Sequence, residues 1–174
     1  MKVFVGCLMF CIGVLNAQTA EDYFNAGNSF FEEEKYSLAI FSYNLAIGSN
    51  AYNPIYYNKR AWANMQIKNY NEALMDFNSE LELKPKHLNE NALAGRITAN
   101  MELGNFSDVV DDTSYLIKYH EDSFRSKFGI NHLNRGKAFL YQGEVENACK
   151  DFHESVQRKM ADGQKFIDKF CNSN

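Results

Sequence analysis

The sequence predicts an all-α fold: four helix hairpins stacked as a solenoid, closed by a C-terminal capping helix. Three observations predict it. Small and apolar residues recur with a period near 34 residues. Within each period they fall at three- and four-residue steps on both sides of a short polar break, the spacing of a single helix face. The 174 residues are 45% hydrophobic with only 2 Pro and 10 Gly, so the chain can bury a core and is neither loop-rich nor disordered.

In chain order, the first element is an address. Lys2 precedes an apolar run of 13 residues, Val3 to Leu15, and Ala17 offers a small residue for cleavage. Thirteen residues span about 20 Å as a helix, short of a bilayer core. Residues 1–17 therefore read as an export signal rather than an anchor, and no stable membrane insertion is expected after cleavage. Cys7 and Cys11 lie inside the run, where neither fits a lipidation site. With 18 Lys and Arg against 22 Asp and Glu, the formal net charge is −4. No basic tract exists, which argues against a nucleic-acid partner.

Four units follow, over residues 20–53, 54–87, 90–123 and 129–162. They begin near Ala20, Pro54, Glu90 and Gly129, so successive starts lie 34, 36 and 39 residues apart. The additional residues fall in linkers, around Asn89 and between His120 and Phe128. The polar breaks Glu33-Glu34-Lys35, Lys68-Asn69, Gly104-Asn105 and Gly143-Glu144 suit tight antiparallel turns. One hairpin cannot bury its own apolar face, so the units must stack. Residues 163–174 supply the cap and tail, with Phe166, Ile167 and Phe170 on one side.

The pattern resembles the tetratricopeptide-repeat family over about residues 20–162. The small residue at position 8 (Gly27, Ala61, Gly136), the aromatic at 17 (Tyr36, Tyr70, Phe106) and the Ala at 20 (Ala39, Ala73, Ala148) carry the resemblance. So do the aromatic at 24 (Tyr43, Phe77, Phe152) and Pro85 at 32. The third unit departs from it at Ile97, Val109 and Thr113, where a local change of superhelical angle is expected. The resemblance implies a right-handed solenoid whose first helices line a concave groove. Mapped onto this chain, the partner-binding groove comprises Phe24, Asn28, Phe31, Asn58, Trp62 and Met65, then Thr98, Met101, Lys137, Leu140 and Tyr141. Gln66 and Ala94 fall on the same positions. Relatives that clamp an acidic C-terminus use lysines, asparagines and an arginine at positions occupied here by Phe24, Lys59, Asn91 and Gly95. Only Asn28 matches, so that clamp is not expected.

Three units carry Arg at position 7 and Asp sixteen residues later: Arg60/Asp76, Arg96/Asp112 and Arg135/Asp151. The first unit has Ala26 and Ser42 instead. Because Arg and Asp come and go together, structural ion pairs across each hairpin are expected, rather than a row of arginines for an anionic ligand.

Catalytic and metal patterns are weak. His87, His120, His132 and His153 have no metal-ligand spacing, and no Gly-rich phosphate loop or nucleophile elbow occurs. No enzyme, metal or cofactor is expected. Asn105-Phe106-Ser107 matches a glycosylation acceptor, read as coincidental in a bacterial protein. Cys149 and Cys171 are either a disulfide, which export would permit, or a buried thiol and a tail thiol. The functional expectation is a non-catalytic scaffold, periplasmic or secreted, binding a peptide or protein partner in its groove. The alternative is a glycan- or small-ligand-binding accessory protein of the bacterial envelope, using Trp62 and Tyr141.

Overall fold

The computed structural model describes residues 18–84 and 89–172, and among these the elements are helices. The first hairpin joins α1 (Ala20–Glu32) to α2 (Tyr36–Ser49), and the second joins α3 (Pro54–Gln66) to α4 (Tyr70–Leu83). The third pairs α5 (Glu90–Leu103) with α6 (Phe106–Tyr119). A single turn, α7 (Phe124–Lys127), occupies the linker before α8 (Ile130–Tyr141) and α9 (Val145–Gln157). The chain ends in α10 (Asp162–Phe166), which widens into a π turn, Ile167–Cys171. Successive hairpins pack α2 on α3, α4 on α5 and α6 on α8, while α10 and the π turn lie on α9. The fold is an all-α solenoid of four hairpins with a C-terminal cap. The export signal and Pro85 lie outside the described residues, as does His87.

Local chemistry sets the helix ends. Thr19 and Asp22 form a reciprocal capping box at α1: Asp22 Oδ2 accepts from the Thr19 amide at 2.8 Å, and Thr19 Oγ1 accepts from the Asp22 amide at 3.2 Å. Asn53 caps α3 ahead of Pro54, whose missing N–H costs nothing in a first turn. All four hairpin turns use one closure. Glu34, Lys68, Gly104 and Gly143, at position 15 of their units, adopt positive φ of 59°, 62°, 78° and 83°. The next residue's amide then reaches back five residues: Lys35 to the Phe30 carbonyl, Asn69 to Asn64, Asn105 to Asn100 and Glu144 to Phe139, at 2.8–2.9 Å.

The core is an alternation of holes and knobs. A Cβ on Gly27 would lie 2.5 Å from Tyr43 Cε1, and one on Gly136 would lie 2.7 Å from Phe152 Cε1. The aromatic of the second helix thus seats on bare backbone of the first. The third unit inverts the volumes: Ile97 is large where its counterparts are small, and Thr113 is small where they are aromatic. Both are buried, and Ile97 joins Leu93, Val109, Leu116 and Ala138 in one cluster. Thr113 returns its hydroxyl to the Val109 carbonyl at 2.6 Å, so its burial leaves no donor unmet. The hole in α5 moves to Gly95, which receives Phe77 of the preceding hairpin. Accordingly α5 neighbours α4 more extensively than it does its own hairpin partner α6.

Candidate functional site

The three Arg/Asp pairs are closed. Arg60 donates to Asp76 through Nε at 2.9 Å and through a terminal nitrogen at 2.6 Å. Arg135 holds Asp151 the same way, both bonds at 2.8 Å, and Arg96 grips both oxygens of Asp112. Each guanidinium has a further acceptor, absent from the sequence reading. Arg60 reaches Asn44 at 2.5 Å, Arg96 reaches Asn78 at 2.8 Å, and Arg135 reaches Ser114 at 3.0 Å. These acceptors occupy position 25 of the preceding unit. Each of these three arginines therefore joins its own hairpin and ties it to the one before. Such buried pairs fix register more than they add net stability, because desolvation offsets their attraction.

The carboxylates differ in what surrounds them. At Asp76 burial is the largest influence and pushes the carboxyl up despite Arg60. At Asp151 burial pushes the same way, but Arg135 and His132 together overcome it and hold the group below its ordinary range. His132 Nδ1 lies 3.1 Å from Asp151 Oδ1. Position 7 thus serves the inter-unit joints, each of these arginines having acceptors in its own hairpin and in the one before.

The expected groove divides into two parts. In its first half the side chains are engaged by neighbouring helices. Phe24 lies between Tyr43 and Tyr56, with ring centroids 5.9 and 5.0 Å away. Asn28 accepts from the Tyr43 hydroxyl at 2.9 Å, and burial pushes that phenol up to about 12. Phe31 meets Tyr36 edge-on at 5.4 Å, and Trp62 meets Phe77 edge-on at 5.5 Å. Asn58 donates to Glu80 at 2.7 Å, while Met65 packs against the Ala61–Phe77 cluster. Thr98 is exposed, with its hydroxyl turned back onto the Ala94 carbonyl.

The second half opens into a cavity of about 760 Å³ where α5 and α8 face the cap. Met101, Leu140, Tyr141, Phe166 and Phe170 make its apolar surface. Tyr141 is 68% exposed yet fixed, stacked on Phe106 at 4.6 Å with the planes 6° apart. Lys137, Lys165 and Lys169 stand around it. Four of these residues, Lys165, Phe166, Lys169 and Phe170, belong to a segment that the sequence suggests only as a cover. The Lys-Phe doublet repeated at a four-residue step is the signal that marks them.

A disulfide fixes this wall. Cys149 of α9 is bonded to Cys171 at the end of the π turn, with Cα atoms 5.7 Å apart. The bond holds the turn that carries Phe170 against α9. Ile167, buried beneath it, joins Leu133, Ala148 and Phe152. Among the described residues no group of three His, Cys, Asp or Glu could hold a metal, and no helix is long and apolar enough to cross a membrane. Asn105, of the glycosylation pattern, donates its side-chain amide to Asn100 at 3.0 Å.

No protein-family profile matches the chain. Among curated proteins, serine/threonine-protein phosphatase 5 of Homo sapiens is 32% identical over 123 residues, which are 69% of this chain and 24% of that protein. The chain spans about a fifth to a quarter of the length of the curated relatives it matches. Among solved structures, the first TPR of Spaghetti (RPAP3), bound to the HSP90 peptide SRMEEVD, aligns with a TM-score of 0.62 at 22% identity. The alignment covers 74% of this chain and 96% of that one. MamA from Desulfovibrio magneticus RS-1 aligns with a TM-score of 0.72 at 12% identity, over 82% of this chain and 76% of that one. Likenesses at these identities are likenesses of fold, and the fold they share with this chain is the tetratricopeptide-repeat solenoid.

Proposed function

We propose that the chain is a non-catalytic interaction module that holds a peptide or protein segment on the face formed by its first helices. The observation that carries this reading is the cavity beside α8, where the exposed ring of Tyr141 and the half-buried Met101, Leu140, Phe166 and Phe170 surround open space. Preorganisation supplies the mechanism. The arginine joints fix one hairpin to the next, and the disulfide fixes the cap, so little ordering remains for the protein when a partner docks. The peptide carried by the RPAP3 domain supports the reading by analogy of fold.

Residues 20–162 serve as the binding solenoid and 163–174 as a cap that also contributes binding surface. We place the protein outside the cytosol, in the periplasm or secreted. The leader pattern of residues 1–17 supports export, and the disulfide agrees with an oxidising compartment. Bacterial origin rests on the form of the leader alone.

Selection of phage-displayed random peptides on the oxidised protein tests the binding reading. Enriched peptides should bind the wild type and lose at least tenfold on Leu140→Ala/Tyr141→Ala, while Tyr52→Ala, exposed elsewhere, keeps its affinity. Tenfold corresponds to about 1.4 kcal/mol, within reach of one lost apolar anchor. No enrichment, or equal binding by both variants, removes the reading. Preferential enrichment on a glycan array, abolished by Tyr141→Ala, would favour the small-ligand alternative.

A further inference from the structure

Resting on that reading, we infer that the cap-end cavity selects an acidic peptide segment that buries one apolar side chain between α8 and the cap. The chain as a whole is negative, with a formal charge of −4, yet this cavity carries three lysines. Lys165 and Lys169 lie one helical turn apart on the cap, where like charges repel. Lys137 comes across from α8, its Nζ 5.5 Å from the Phe166 ring centroid. Lys169 Nζ lies 5.0 Å from the centroid of Phe170. Among the described residues neither makes an ion pair. Ring contacts leave their ammonium hydrogens available to an incoming carboxylate. Among the described residues the carboxylate bonded to this lysine group is Asp162, 3.0 Å from Lys165 and near enough to Lys137 to feel its charge. One carboxylate thus stands against three cations and is bonded to one of them.

The chemistry of the occupant follows from this division. An apolar side chain would cover the exposed ring of Tyr141 and the half-buried Leu140, Phe166 and Phe170. Flanking carboxylates would meet Lys137 and Lys169 at the rim. A purely apolar segment would leave the lysines unanswered, and a basic one would meet three like charges. The arrangement differs from the clamp that relatives use for an acidic C-terminus, of which this chain keeps only Asn28, because the cap supplies two of its three cations and two of its apolar side chains. It also depends on the disulfide, which holds Phe170 in the wall.

The test uses the oxidised protein and a fluorescein-labelled seven-residue peptide with a central leucine flanked by glutamates. Three comparison peptides carry glutamine for glutamate, lysine for glutamate, or glycine for the leucine. Fluorescence anisotropy should show the glutamate–leucine peptide binding at least tenfold more tightly than each comparison peptide. Lys137→Gln and Lys169→Gln should each weaken it about threefold or more, and added salt should weaken it further. Lys35→Gln, bonded to Glu33 in the first hairpin, should leave it unchanged. Circular dichroism confirms that each variant folds. Equal binding of the glutamine peptide, or no effect of either lysine variant, overturns the acidic preference. If peptide binding still falls with Leu140→Ala/Tyr141→Ala, the interaction reading survives that result. Failure of all four peptides, with binding to anionic phospholipid vesicles instead, overturns both.

Discussion

Gly95 offers a quantitative test of how the hairpins lock together. A Cβ added there would lie 2.7 Å from Phe77 Cε2 and nearer still to Cζ and Cε1. Phe77 is fully buried and braced edge-on by Trp62, so its ring has no free direction in which to retreat. Overpacking of this kind costs about 1–3 kcal/mol, and a braced ring belongs toward the upper end. Replacing glycine by alanine inside a helix returns roughly 1 kcal/mol. Gly95→Ala should therefore destabilise by about 1–2 kcal/mol, lowering the melting temperature by roughly 3–6 °C. Gly48→Ala is the matched control, since a Cβ there meets nothing within 4 Å near the end of α2. It should stabilise by about 0.5 kcal/mol. Urea titration followed by circular dichroism at 222 nm measures both. Adding Phe77→Leu to Gly95→Ala should recover at least about 1 kcal/mol relative to the sum of the single changes. If Gly95→Ala is as stable as Gly48→Ala, Gly95 is not the hole that seats Phe77.

Three further outcomes are expected. Glu34 holds a left-handed conformation that Gly104 and Gly143 adopt at the same turn, so Glu34→Gly should stabilise by about 1 kcal/mol, and a loss in thermal melting would contradict the strain. The carboxyl of Asp151 is held below its ordinary 3.8, so its contribution is present above that value and is lost as pH falls through the lower folded value. The stability gap between wild type and Asp151→Asn should be widest above pH ~5 and close in strong acid; a gap constant down to pH ~2 would refute the linkage. Asp76, lifted by burial, acts with the opposite sign, so the comparison uses the single-site variant. Reduction, or Cys149→Ser/Cys171→Ser, should cost about 3 kcal/mol for a separation of 22 residues, and an unchanged midpoint would mean the bond adds nothing.

The architecture was legible because its determinants are local and repeated. Small residues at position 8 and aromatics at 24 recur in phase, and Arg precedes Asp by sixteen residues three times. Antiparallel helices joined by a tight turn bring such residues level, and no long-range information is needed. Residues whose partners lie in another unit were harder to see. Asn44, Asn78 and Ser114 precede their arginines by 16, 18 and 21 residues, because the linkers between units differ in length. Gly95 was hidden for a related reason: its knob, Phe77, comes from the preceding hairpin rather than its own. The groove expectation was drawn from helix positions alone, which do not tell whether a side chain faces solvent or a neighbouring ring. Phe24 and Trp62 occupy such positions yet pack on Tyr43 and Phe77. The cavity depends on where α10 and the π turn come to rest against α8. That placement is set by Ile167 in the core and by the Cys149–Cys171 bond, which spacing in the sequence left open.

The most direct measurement is an amide chemical-shift titration of the isotope-labelled, oxidised protein with the glutamate–leucine peptide. Shifts should concentrate on the C-terminal half of α8, around Lys137, Leu140 and Tyr141, and on the cap from Lys165 to Phe170. Shifts gathered instead on α1 and α3, around Phe24 and Trp62, or on the outer face of α2 around Phe41, would contradict the placement of the site.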